Sequence, residues 1–163
     1  MKKLLLIRHA QTEDLAKGKD INRSLTARGS LDCELMSERL IKQNFFPDCI
    51  ILSPAMRTQQ TSTKLLNHLG LNSINKVVCN GLYQASASFI LDEISLVNSK
   101  VNSLVIIGHN PGISELLNFM GNKILLGLPT CGMALLNFET EYWTDLLTLK
   151  GELIWLNWPS MPE

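Results

Sequence analysis

The sequence predicts an α/β fold of three layers: a largely parallel central sheet flanked by helices, with antiparallel edge strands at the C-terminus. Three observations predict it. Four short apolar runs, Lys3–Ile7, Cys49–Leu52, Lys76–Cys79 and Leu104–Ile107, are separated by stretches with helical periodicity. The first, Lys3–Ile7, is a continuous apolar run, the pattern of a strand buried on both faces. The last two runs, Met133–Phe138 and Glu152–Trp158, follow one another with no helical pattern between them, so they are expected to pair locally at the edge of the sheet.

The elements follow in order. After Lys3–Ile7 comes a polar loop from Glu13 to Asn22. Thr26 is a helix cap, and a helix over about Ala27–Lys42 sets Cys33, Met36 and Leu40 on one face and Glu34, Glu38 and Lys42 on the other. After Cys49–Leu52, Ser53-Pro54 reads as an N-cap followed by a first-turn proline. It opens a helix that Gly70 ends. A helix over about Ser88–Ser99 directs Ile90, Ile94 and Val97 inward. Asn110-Pro111 repeats the cap-and-proline pattern before a helix that reaches about Met120.

The bulk composition excludes several classes. At 163 residues the chain is expected to form one domain, 1–163. Fifteen Lys and Arg balance fifteen Asp and Glu, so there is no basic field for nucleic acid or an anionic membrane. No apolar run nears the ~20 residues of a spanning helix. Leu4–Ile7 is too short for a signal peptide and Arg8-His9 interrupts it, so a cytoplasmic location is expected. Cys33, Cys49, Cys79 and Cys131 form no CxxC pair and read as reduced core thiols; neither metal nor cofactor is expected.

Four residues then stand out. Arg8 and His9 leave the first strand, Arg57 falls in the first turn of the helix after the second, and His109 leaves the fourth. In open α/β sheets ligands bind outside the carboxyl ends of the strands, so these residues are expected to converge on one rim. Taken singly, each has an ordinary explanation, as a strand-end cap or a solvated helix arginine; the same holds for His68 in the second helix. Together they suit a phosphate. The arginines can grip its oxygens in pairs, the two helix starts favour an anion, one histidine can take phosphorus, and the other can stabilise the developing charge.

In these residues the chain resembles the histidine phosphatase superfamily, of phosphoglycerate-mutase-like fold, and within it the small SixA-type phosphohistidine phosphatases. The matching stretches are LIRHAQT at 6–12, RSLTARG at 23–29, SPAMRTQQT at 53–61, VIIGHNPG at 105–112 and LPTCGMALLNF at 128–138. The resemblance implies that His9 is the nucleophile, that Arg8, Arg57 and His109 complete the phosphate pocket, and that Arg23 is a further phosphate or substrate contact. It implies a phosphatase that forms phosphohistidine without a metal and acts on a phosphorylated protein, phosphohistidine in particular, or on a small phosphorylated substrate. The alternatives are a small-molecule phosphomonoesterase or mutase of the same fold, and a non-catalytic phosphate-binding domain.

The chain departs from the superfamily's pattern twice. Ala10 stands where Gly is usual, which requires that its backbone avoid positive φ. Gly81, within VVCNGLYQAS, stands where members acting on sugar phosphates carry an acidic glutamate, and Asp92 and Glu93 read as solvated helix carboxylates. Without an acid a basic alkoxide leaves poorly, whereas imidazole, titrating near ~6.5, is a mild leaving group. Phosphohistidine, anhydride or aryl phosphate is therefore favoured over sugar phosphate. The short segment from about Asn80 to Ser88 leaves the rim unlidded, which suits a phosphate displayed on a protein.

Overall fold

The computed structural model describes residues 1–15, 18–121 and 124–162. Its ten principal elements are β1 (Lys2–Arg8), α1 (Ala27–Ile41), β2 (Cys49–Leu52), α2 (Met56–Leu69), β3 (Asn75–Val78), α3 (Ala87–Ser95), β4 (Ser103–Gly108), α4 (Gly112–Met120), β5 (Met133–Phe138) and β6 (Glu152–Asn157). The strands form one sheet in the order β3-β2-β4-β1-β5-β6. β3, β2, β4 and β1 pair in parallel, and β5 and β6 add antiparallel partners beyond β1. This is the expected α/β architecture.

The alternation of side chains along β1 divides the interior in two. Leu4 and Leu6 join Leu104, Ile106, Ala134 and Leu136 beneath α3 and α4. Leu5 and Ile7 join Val105, Ile107, Met133 and Leu135 beneath α1 and α2. Each central strand is apolar on both faces because each face has its own helical layer. Cys33, Met36 and Leu40 lie in the second of these cores, as the helical spacing of α1 requires.

Several boundaries differ from the sequence reading. Thr26 caps α1 through Gly29 N at 2.9 Å, and Gly70 ends α2 at φ 68°, both as expected. The caps of α2 and α4 are instead Ala55 and Pro111, with no side-chain bond from either. α3 stops at Ser95 rather than Ser99. Leu96 N and Val97 N bond three residues back, and Val97, Asn98 and Ser99 are poor helix formers. Between β5 and β6 a 3-10 helix, Trp143–Leu147, buries Trp143 and Leu146 where no helix was expected. β3 is exposed at all four residues, as an edge strand is.

Candidate active site

Strand register builds the centre of the site. In the parallel β1–β4 ladder Arg8 lies opposite Gly108, so the next residues of the two strands, His9 and His109, emerge side by side. His9 N donates to Gly108 O at 3.2 Å, and the imidazole centroids are 5.2 Å apart. On the other flank of β4, Ser53 N donates to Ile107 O, which sets Ser53 beside His109. Arg57 follows one helical turn later and is 5% exposed. The residues expected to converge do so, at the carboxyl ends of β1, β2 and β4.

His9 is fixed in one tautomer. Its Nδ1 lies 2.8 Å from the Ala10 carbonyl, which can only accept, so the proton sits on Nδ1 and Nε2 keeps its lone pair. Burial, with the charges of Arg57, Arg8 and Arg23, outweighs that hydrogen bond and lowers the His9 pKa to about 4. The ring is therefore neutral at physiological pH. Ala10 is fully buried, lies outside the positive-φ region, and donates its N–H to Thr61 Oγ1 at 3.1 Å. A methyl group is tolerated there for that reason.

His109 is neutral as well. Burial first, then Arg57 and His9, lower its pKa to about 3, against the opposing charge of Asp20. Its Nε2 lies 2.7 Å from Ser53 Oγ, while its buried Nδ1 has no partner among the described residues. Ser53 Oγ also accepts Ala55 N–H at 3.2 Å. Ser53 keeps a hydroxyl proton that it can give to Nε2; in that tautomer the His109 proton stands on Nδ1, a donor with no acceptor among the described residues. The Nε atoms of Arg8 and Arg57 are likewise buried without partners among the described residues. Two guanidinium groups and one imidazole N–H thus present unused donors, the set a tetrahedral oxyanion would satisfy.

The outer groups hold these arginines in place. Arg8 Nη1 donates to Leu128 O at 3.0 Å. Arg57 spends its fork on one residue of the loop before α1: Nη1 donates to Asp20 O at 2.8 Å and Nη2 to Asp20 Oδ2 at 3.0 Å. Arg23 donates to Asp20 Oδ1, Thr12 Oγ1 and the Glu13 carbonyl. Tyr83 closes the ring of contacts. Its hydroxyl donates to Asp20 Oδ2 at 2.6 Å, its ring meets that of His109 in a T-shaped pair, and the Arg57 guanidinium lies over its face. The Tyr83 bond, with those from Arg23 and Arg57, holds the Asp20 carboxyl well below the usual carboxylate range.

One expectation needs correction. Ser53 and Asn110 do not cap helices toward the rim. Ser53 serves His109, Asn110 binds Leu128 O and Ser114, and the Ile113 N–H of α4 is taken by the His109 carbonyl. The unpartnered buried donors at this rim belong to arginine and histidine side chains, not to these helix starts. Where the superfamily's glutamate would stand, Gly81 packs against Phe89: a Cβ there would lie 2.3 Å from the ring and force it to shift, while the backbone is not at positive φ. Glu93 meets Cys79 Sγ, and His68 is exposed on α2. Ser53, Asp20 and Tyr83 were not singled out from sequence. Ser53 resembled a cap, and nothing local marks a loop Asp or Tyr as a partner of Arg57.

Comparisons with known proteins agree with this geometry. The model of the histidine phosphatase superfamily (branch 1) matches residues 4–82. An uncharacterized chloroplastic protein of Arabidopsis thaliana is 25% identical over 164 residues, covering 94% of this chain and 74% of its own. An uncharacterized protein of Mycobacterium leprae is 26% identical, covering 83% and 86%. A structure carrying the phosphohistidine phosphatase SixA name, from Agrobacterium tumefaciens, superposes with TM-score 0.82 at 26% identity over 96% of this chain and 97% of its own. A phosphoserine phosphatase mutant of Entamoeba histolytica shares the fold at TM-score 0.66 and 17% identity, over 98% of each chain. The chain is similar to the histidine phosphatase superfamily. In fold it sits with the small SixA-type structures.

Proposed function

We propose that the protein is a metal-independent phosphatase that works through a phosphohistidine on His9 and acts on protein phosphohistidine. The observation that carries this reading is the Nδ1–H of His9 bound to the Ala10 carbonyl, which leaves a neutral Nε2 free beside unused arginine and His109 donors.

The steps follow from the chemistry of these groups. Arg8 and Arg57 bind the phosphoryl oxygens, with Arg23 at the mouth as a further contact. Nε2 of His9 attacks phosphorus, the bond to the leaving group breaks, and its electron pair departs with that group. His109 Nδ1–H donates to an equatorial oxygen as charge builds, and a phosphate dianion nearby favours the cationic imidazole. Water then attacks the phosphohistidine and releases inorganic phosphate. The arginines and His109 supply the positive charge that a metal would otherwise provide.

The leaving group supports phosphohistidine. Gly81 packs against Phe89 and carries no acid, Glu93 bonds Cys79, and Asp20 is held ionised by its three donors. A phosphoimidazole needs no acid, because its ring leaves neutral if the distal nitrogen already carries a proton. The SixA structures among the similar folds, one complexed with tungstate, agree with this reading. The four cysteines are unpaired, which suits a reducing cytoplasm. Among the described residues no helix is long and apolar enough to cross a membrane.

The experiment is a substrate panel in excess EDTA: a phosphohistidine-bearing protein domain, 4-nitrophenyl phosphate, phosphoserine and 3-phosphoglycerate. Phosphohistidine should be turned over best and chelation should cost nothing. Activity that requires added Mg²⁺ or Zn²⁺, or a preference for 3-phosphoglycerate, would contradict the proposal.

A further inference from the structure

The carboxylate of Asp20 lies closer to solvent than the guanidinium it binds on Arg57. The side chains of Asp20 and Arg23 are 30% and 28% exposed, whereas that of Arg57 is 6% exposed. His9, His109 and Arg57 therefore form the floor, and Asp20, Arg23 and Tyr83 the mouth. In-line attack from His9 on the floor expels the leaving group on the opposite side of phosphorus, toward that mouth. Asp20 need not move to admit the phosphoryl group. It holds the Nη edge of Arg57, while the unpartnered buried Nε is on the other edge of the guanidinium.

We propose that Asp20 is a specificity-determining residue, whose carboxylate accepts the distal N–H of a phosphoimidazole leaving group. The inference rests on the phosphohistidine reading above. The groups facing Asp20 are Arg57 from α2, Arg23 and Tyr83 from the flanking loops, and His109 within electrostatic range. Their bonds to Asp20 Oδ1 and Oδ2 keep it an acceptor rather than an acid. An acceptor at this place helps only a leaving group that carries a proton of its own.

The reaction is then close to symmetrical. His9 bears its proton on Nδ1 against the Ala10 carbonyl and offers Nε2 to phosphorus. The substrate imidazole bears its proton on the distal nitrogen against Asp20 and gives up phosphorus from the other. As the new N–P bond forms at Nε2, the old N–P bond breaks and its electron pair returns to the substrate ring. That ring leaves as neutral imidazole and retains its proton. By stabilising the protonated ring, Asp20 keeps bound substrate in the reactive form to higher pH.

The test compares phosphoimidazole with 4-nitrophenyl phosphate in the wild type, Asp20→Asn and Asp20→Ala. The ratio of kcat/KM for phosphoimidazole to that for the aryl phosphate should fall about ten- to hundredfold in both variants, the loss of one hydrogen bond to a charged group. The alkaline limb of kcat for phosphoimidazole, which reports the bound state, should move to lower pH. An unchanged ratio with an unmoved limb, even if both rates fall, would overturn the inference and leave Asp20 only as a support for Arg57. A wild type that hydrolyses the aryl phosphate but not phosphoimidazole would instead refute the phosphohistidine reading itself.

Discussion

Ser53 Oγ and His109 Nε2 are 2.7 Å apart, and the same oxygen accepts the Ala55 N–H. With Ser53 donating to Nε2, the His109 proton is held on Nδ1, where it faces the site. Ser53→Ala removes that donor, so the proton is no longer held on Nδ1. We expect kcat to fall about tenfold or more, as for loss of a preorganised donor, with a smaller change in KM. Wild-type kcat in Ser53→Ala would remove Ser53 from the mechanism.

Arg57 acts through its planar fork. One edge is held by the Asp20 carbonyl and carboxylate, and the opposite Nε is buried and free. A lysine keeps the charge but cannot present both edges. Arg57→Lys should lose about 10²–10³ in kcat/KM. Turnover like the wild type's would show that charge alone suffices.

The buried histidines link stability to pH. In the unfolded chain imidazole titrates near ~6.5, whereas the folded protein protonates His9 only near about 4 and His109 near about 3. Between these values the unfolded state holds more protons. Stability is therefore complete above pH ~6.5 and is lost as pH falls toward 4. Urea unfolding at about pH 7 and about pH 5 should show a loss for the wild type, reduced in a His9→Asn/His109→Asn double variant. Equal losses would mean that the histidines are not held neutral.

Gly81 carries the leaving-group argument. A Cβ there would lie 2.3 Å from the Phe89 ring, so Gly81→Glu should destabilise by about 1–3 kcal/mol through overpacking. It should not rescue alkyl phosphates. In the wild type, kcat/KM across aryl and alkyl phosphates should rise steeply as the leaving-group pKa falls. A flat dependence would require a proton donor near the mouth, with Asp20 the first to test.

The sequence displayed the fold because near-continuous apolar strands and amphipathic helices obey local periodicities that the β1–β4 and β2–β4 ladders then satisfy. It displayed His9, Arg8, Arg57 and His109 because Arg8 ends β1 and the other three lie one to five residues past a strand, where topology alone fixes their place. Ser53 was misread because a Ser-Pro pair resembles a helix cap whether or not a histidine waits across the ladder. Asp20 and Tyr83 lie in 3-10 or loop segments with no periodicity, 63 residues apart, and only tertiary folding joins them. Gly81 was legible as a missing acid, but not the reason, which is the Phe89 ring.

The central claim is that Nε2 of His9 becomes covalently phosphorylated during turnover. Rapid quenching of wild-type protein during hydrolysis of labelled phosphoimidazole should trap an acid-labile, base-stable label that peptide mapping assigns to His9. His9→Ala should fold, bind phosphate and carry no label, with turnover abolished. A label on another residue, or undiminished turnover in His9→Ala, would contradict the account.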